Sequence, residues 1–359
     1  MRGPFDNTFD ATRSRPSRDE ENTFECDLSD LCECCVMETY PFRCCYQERR
    51  VTGIECDLAR CSFHKYCPAS KGKKYIHELI NNLSCEFSSK SQKGLAFQEV
   101  ASSLPSAYIP EVRPVGREKD EAIRVVKELD IPIIAVSLSK FYRGLTETSS
   151  LRRALRAGLH KFMRFEGKIL LSTDVQDPLC DKFTNNPRYF KRIAENLTPD
   201  YITTLDTYSY YNIPACISRI KMLQILVADY DLVDLTMKVI GLVVGGGVRQ
   251  VLQCALQLQR MGCGVICYPV YEMRRYHDTY SIRARTEVLK TTGAPVALLS
   301  CTPGTRKNER VYANYYSSLS WFSMIGKHTK VNFSRKEKLS KLIKLAQECS
   351  KQATWPEVS

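Results

Sequence analysis

Asp174 follows the run Lys168-Ile-Leu-Leu-Ser-Thr, and Asp206 follows Tyr201-Ile-Thr-Thr-Leu. Gly245, Gly246 and Gly247 come after Val239-Ile-Gly-Leu-Val-Val, Glu272 after Gly264-Val-Ile-Cys-Tyr-Pro-Val-Tyr, and Ser300 with Cys301 after Val296-Ala-Leu-Leu. Two carboxylates on neighbouring segments can divide the work of a reaction. One takes or gives a proton while the other stays ionised and stabilises positive charge. Asp and Gly also open loops and cap helices, so each residue taken singly has a purely structural reading as well.

A second cluster of chemically capable residues lies near the N-terminus. Ten of the 17 cysteines fall in the first quarter of the chain. Cys32, Cys34, Cys35, Cys44, Cys45, Cys56, Cys61, His64 and Cys67 supply enough sulfur and nitrogen for one or two tetrahedral zinc sites. An iron–sulfur cluster is the runner-up, and reduced thiols packed as small hydrophobes are the third reading. No apolar run approaches the ~20 residues that cross a bilayer, and the first residues lack the apolar core of an export signal. The expectation is an intracellular, cytoplasmic protein without a membrane partner, where thiolate ligation of metal is favoured over a disulfide framework.

The elements that would position these residues can be read from the texture of the chain. From about Lys119, apolar runs of four to six residues alternate with longer mixed segments, as in βα units. Strands are expected at Pro132–Val136, Ile169–Thr173, Tyr201–Leu205, Val239–Val244, Gly264–Tyr268 and Pro295–Leu299, with weaker ones at Ala107–Val112 and Tyr312–Ser318. Each is mostly apolar rather than alternating, which suits parallel strands covered on both faces. Helices are expected at Lys119–Leu129, Ser150–Ala157, Pro187–Asn196, Ala215–Asp229, Val248–Met261, Met273–Lys290 and Ser334–Cys349. The glycine run comes too late, and with the wrong spacing, for a dinucleotide-binding sheet. The pattern therefore predicts an α/β fold, a (β/α)8 TIM-like barrel preceded by a Cys-rich metal-binding unit.

The 359 residues divide by composition into a flexible arm at 1–23, the Cys-rich unit on short irregular segments at 24–92, the barrel at 93–333, and a basic C-terminal helix and tail at 334–359. Lys plus Arg number 52 against 40 Asp plus Glu, a net charge of +12 that attracts a polyanion. A hydrophobic fraction of 43% excludes a disordered or fibrous chain.

Several fragments together carry a resemblance. Gly158-Leu-His-Lys-Phe-Met-Arg-Phe-Glu-Gly-Lys-Ile-Leu-Leu-Ser-Thr-Asp174 resembles the segment leading into the catalytic loop of the tRNA-guanine transglycosylase superfamily. Leu205-Asp206-Thr-Tyr resembles that family's base-recognition segment, Gly241-Leu-Val-Val-Gly-Gly246 its glycine loop, and Gly262–Glu272 its next strand and glutamate loop. Order and spacing hold over about 160 residues, and the sequence is most similar to the branch that inserts 7-deazaguanines into DNA. It departs from the family at Val175-Gln-Asp177, at Val244 in place of a base-binding Gln, and at Ser317, where the family has its nucleophilic Asp. The Cys-rich run is similar, more faintly, to the zinc-binding cytoplasmic domain of P2X7 purinoceptors.

The resemblance implies a pentosyltransferase that exchanges guanine for a 7-deazaguanine (preQ0-like) base in DNA, in preference to tRNA, with room for a homodimer. Asp174 would act near the sugar carbon, with Asp278 an alternative for the displacement, and Asp206 would accept hydrogen bonds from the base. Gly245–Gly247 and Glu272 would complete the base site. Tyr208 and Tyr268 are candidates to stack on a flipped nucleotide, against the commoner role of core packing, and Arg274, Arg275 and Arg283 are candidates to hold phosphates, against an equal reading as a solvated helix face. The loss of the family nucleophile at Ser317 leaves open a nucleic-acid-binding barrel without turnover.

Overall fold

The computed structural model describes residues 64–116, 118–175, 177–207, 214–270, 279–303, 311–318 and 334–353. Eight short apolar runs form parallel strands: β1 (Tyr108–Pro110), β2 (Ile133–Ser137), β3 (Lys168–Ser172), β4 (Tyr201–Thr203), β5 (Lys238–Leu242), β6 (Ile266–Pro269), β7 (Val296–Leu299) and β8 (Tyr315–Ser318). Strands β2 through β8 each pair with the next in chain order, and β8 pairs with β1. One parallel bridge, Glu111 to Ala135, links β1 to β2, and the Val112 N–H donates to the Ala135 carbonyl at 2.8 Å. The ring is thus nearly closed, as an α/β barrel of the TIM type.

Helices cover the outside of the ring. They are α1 (Lys73–Gln92), α2 (Glu118–Glu128), α3 (Ser149–Ala157), α4 (Leu159–Met163), α5 (Asp177–Asn185), α6 (Pro187–Leu197), α7 (Ala215–Asp229), α8 (Val248–Arg260), α9 (Thr279–Lys290) and α10 (Arg335–Ala353). Local chemistry sets their starts. Thr148 Oγ1 accepts the Leu151 N–H to cap α3, and Asn186 Oδ1 accepts the Tyr189 N–H ahead of Pro187 to cap α6.

Side-chain alternation on the strands separates two cores. Ile133, Ala135, Leu170, Ile240, Leu242 and Leu299 pack together inside the ring, while Ile134, Val136, Ile169, Leu171, Val239 and Leu298 pack outward under the helices. Ala101 and Leu104, from the segment before β1, join the inner cluster and close its N-terminal end. That plug is pinned by Val100 bridging to Val239 and by the Ala101 N–H donating to the Val239 carbonyl at 3.1 Å.

Gly264 faces the plug at close range. A Cβ there would lie 2.8 Å from the Ala101 carbonyl oxygen and 3.2 Å from Ser102 Cα, both backbone atoms that cannot swing aside. Gly264→Ala is expected to destabilise the fold by about 1–3 kcal/mol, read as a lower denaturant midpoint at unchanged slope.

Two expectations change on contact with the structure. Residues 73–92, expected as short irregular segments, form the 20-residue helix α1, which packs along α7 through buried Ile76 and Ile80. Lys90 fixes its end by donating to the Val227 carbonyl at 3.1 Å and to Asp231 at 3.0 Å. The second correction concerns metal. Among the described residues no group of three or more His, Cys, Asp or Glu side chains could hold a metal ion, which overturns the zinc site and its iron–sulfur alternative. Cys67 is 8% exposed and packs into the outer core at the start of the one-turn helix Pro68–Lys71. Of the other expected ligands, Cys32, Cys34, Cys35, Cys44, Cys45, Cys56 and Cys61 lie outside the described residues, and His64 is described only as the first residue of a short 3-10 turn.

Candidate active site

Toward the C-terminal ends of the strands the interior turns from apolar to polar. Two positions beyond the inner residues Ile109, Ala135, Leu170 and Tyr315 stand Glu111, Ser137, Ser172 and Ser317, all buried. Short strands with this parity must place these groups at the mouth of the ring, where a barrel assembles its site.

Asp174 sits just past β3 and is tied to three strand ends. Its carboxylate accepts from Ser300 Oγ at 3.3 Å, its carbonyl accepts from Ser137 Oγ at 3.2 Å, and its N–H donates to Ser172 Oγ at 3.2 Å. Ser300 adopts the left-handed φ of 56°, a strained conformation for a non-glycine residue that turns the chain immediately after β7. Asp206, just past β4 and 8% exposed, accepts the Val175 N–H at 3.3 Å, so the loops bearing the two aspartates are joined directly.

Buried threonines hold those loops from below. The Thr173 N–H donates to Thr203 Oγ1 at 2.8 Å, and the Leu242 N–H donates to Thr204 Oγ1 at 2.8 Å. Asp229 at the end of α7 accepts the Leu205 N–H at 3.1 Å, and burial pushes its carboxyl up to about 8. The neutral acid is the form suited to that site, since an isolated buried carboxylate is costly.

The site holds a residue absent from the sequence-based candidates. Glu111 follows β1 and is 8% exposed. Burial pushes its carboxyl up to about 7, Lys140 opposes that shift, Asp174 adds to it by like-charge repulsion, and Arg113 opposes it. Asp174 is also raised, first by burial, against the Ser300 hydrogen bond and Lys140. Lys140 lies in the 3-10 turn Leu138–Phe141 after β2. Glu111 and Asp174 are therefore within each other's field and share one lysine. The aspartates also act on the interior: the Cys267 thiol is raised by burial, then by Cys263, Asp206 and Asp174. The signal for Glu111 was the carboxylate after Tyr108-Ile-Pro, the same apolar-run-then-acid pattern as at Asp174.

The remaining candidates are distributed differently. Ser317, where the resembling family has its nucleophile, pairs in register with Ile109 and is buried, and its carbonyl accepts the Cys301 N–H at 2.8 Å. Gly245, Gly246 and Gly247 are buried between β5 and α8, and the Gly246 N–H donates to Gln250 Oε1 at 3.0 Å. Tyr268 belongs to the outer core and hydrogen-bonds with Arg285. Asp278, Glu272, Tyr208, Arg274 and Arg275 lie outside the described residues.

What the described groups can do together is acid–base work on a polar substrate at the mouth of a TIM barrel. One carboxyl keeps a proton near neutrality, and its neighbour, itself raised by burial, accepts a hydroxyl hydrogen bond that favours its charged form. Among the described residues no helix is long and apolar enough to cross a membrane. A scan of family models and a search of curated proteins returned no match to this chain.

Proposed function

We propose that the barrel is a base-exchange enzyme that replaces guanine with a 7-deazaguanine in nucleic acid, DNA before tRNA. The observation that carries this reading is the pair Glu111 and Asp174, one carboxyl buried and the other half-buried at the mouth of the barrel, both under the influence of the Lys140 charge. Breaking an N-glycosidic bond builds positive charge on the sugar carbon and negative charge on the departing base. Asp174, supported by Ser300, is the carboxylate that faces C1′ and takes the place that Ser317 cannot fill. Glu111 gives its proton to the base as the bond electrons leave with it, then takes a proton from the incoming deazabase as the new bond forms. Asp206 accepts from the donor edge of the base. The net charge of +12 draws the polyanion to the surface.

The test is incubation of the full chain with guanine-containing DNA or with tRNA, each with and without a 7-deazaguanine, followed by nucleoside analysis. Incorporation into DNA is the expected result, and absence of the deazabase from both polymers overturns the reading. The buried Ser317 favours a second reading, a barrel that binds nucleic acid without turnover, and that reading predicts retention of either polymer with its guanine unchanged.

A further inference from the structure

Around the Phe162 ring the surface gathers positive charge with little acid to balance it. Residues 148–165, which span α3 and α4, contain five Lys or Arg and no Asp or Glu. Leu151, Ala154, Leu159 and Met163 turn inward and are buried, so the helical period sends Arg152, Arg153, Arg156, Lys161 and Arg164 outward, and all five are exposed. Lys119, in the first turn of α2, joins them. Its Nζ lies 4.9 Å from the centre of the Phe162 ring and donates to the Phe162 carbonyl at 2.9 Å, while the Arg153 guanidinium lies 5.8 Å from the same ring. Burial pushes the Lys119 amine down, Asp120 opposes that, and Arg164 and Arg153 add to it, so both arginines stand within the field of the lysine. Asp120 pairs with Lys119 at 3.8 Å, and among the described residues Arg153, Arg156, Lys161 and Arg164 form no ion pair. Arg164 also takes the left-handed φ of 57°, which an arginine adopts at a cost and glycine adopts freely. Like charges brought together repel, and an anionic partner that spans them relieves the repulsion.

We propose that this face of the barrel binds the phosphate backbone of a nucleic acid. Four of its six cations are arginines, whose planar guanidinium takes phosphate oxygens in pairs, and their spread over three helices offers several phosphates a partner at once. The Phe162 ring is half-buried and faced by two cations, which leaves little apolar surface for an acidic peptide or a lipid layer, whereas a phosphate backbone needs only charge and donors. The face also leads toward the carboxyls. Phe162 packs on Phe141 at 5.9 Å, and Phe141 ends the 3-10 turn that carries exposed Lys140, whose charge reaches Glu111 and Asp174. The inference goes beyond base exchange, because it concerns where the polymer is held, and it stands on binding alone.

The probe is a short fluorescein-labelled DNA duplex, titrated with the full chain at several salt concentrations, without any deazabase, and read by fluorescence anisotropy. Binding by the parent is expected to weaken steeply as salt rises. Arg153→Gln combined with Arg164→Gln is expected to bind about tenfold or more weakly and to lower the salt slope by about two. Lys74→Gln combined with Arg260→Gln, which removes the same charge from α1 and α8, is expected to bind within about twofold of the parent. Arg164→Gly separates contact from structure: it relieves the left-handed backbone, so it should unfold no earlier than the parent and still bind DNA more weakly. Poly-L-glutamate at matched charge is the competitor, and the duplex is expected to stay bound. The proposal is overturned if the parent shows no salt-dependent binding, if the arginine pair binds as well as the control pair, or if poly-L-glutamate displaces the duplex, which would assign the face to an acidic protein. A chain that binds through this face yet incorporates no deazabase loses the base-exchange reading alone, and incorporation that ignores these arginines loses only this one.

Discussion

Asp174→Asn is expected to lower the rate of the proposed base exchange by about 10²–10⁴-fold while leaving the protein folded. The amide keeps the size of the side chain and can still meet the Ser300 hydroxyl, but it cannot face a developing cation as an anion. Stability should hold or rise, for a reason of sign. Burial raises the Asp174 pKa, so its contribution to stability is full below the unfolded value and is lost as pH rises through the folded one. A neutral amide removes that loss. Glu111→Gln completes the test. The Glu111 carboxyl holds its proton up to about 7, so a rate that needs the protonated acid falls as pH rises through that value. The glutamine variant should show both a lower rate and no descending limb there. The charge of Asp174 helps to raise the Glu111 carboxyl, so Asp174→Asn should also move that limb to lower pH. Parent-like exchange by Asp174→Asn would remove the carboxyl pair from the mechanism.

The largest expected loss of stability is at Phe183. Its ring packs against Phe190 at 5.3 Å, stacks on Tyr189 at 6.0 Å and meets Tyr142 edge-on at 6.0 Å, and it is fully buried. It holds α5 to α6 and to the residues after β2, and α5 begins directly beyond the Asp174 loop. Phe183→Ala should cost about 3–5 kcal/mol, since transfer free energy and a cavity add together. Phe183→Leu, which fills most of the space, should cost less. Equilibrium denaturation measures both, and a loss below about 1 kcal/mol for alanine would show that the aromatic cluster collapses freely around the gap.

Much of the barrel was legible because parallel strands buried on both faces leave apolar runs that little else imitates. The expected runs overlap β2 through β7, and the weaker stretches contain β1 and β8. Asp174 and Asp206 stood out because each interrupts such a run. Glu111 did not, because β1 is only three residues long and ends in Pro110, so the acid read as part of a weak strand. Helix α1 was hidden for the opposite reason. Its sequence is polar over most of its length, and only Ile76 and Ile80 are buried, too few to set a visible period. Arg285 lies in a helix with other charges, and only the packing of α9 against α8 distinguishes it from a solvated arginine. The glycine run was visible, but the use of the Gly246 N–H by Gln250 is a tertiary fact that no spacing announces.

The plug at Val100–Leu104 bears on how the chain is made. It precedes β1, yet its partner strand is β5, so the segment synthesised first is secured by one synthesised much later. On a ribosome adding about 5–20 residues per second, the plug waits on the order of ten seconds for β5 to emerge. Helix α1 waits similarly for α7. Pairings this distant in sequence close slowly, because loop entropy is spent before any contact repays it. Through that interval Ala101 and Leu104 remain uncovered, and pairing of the plug with the fifth strand is the event that begins to bury them.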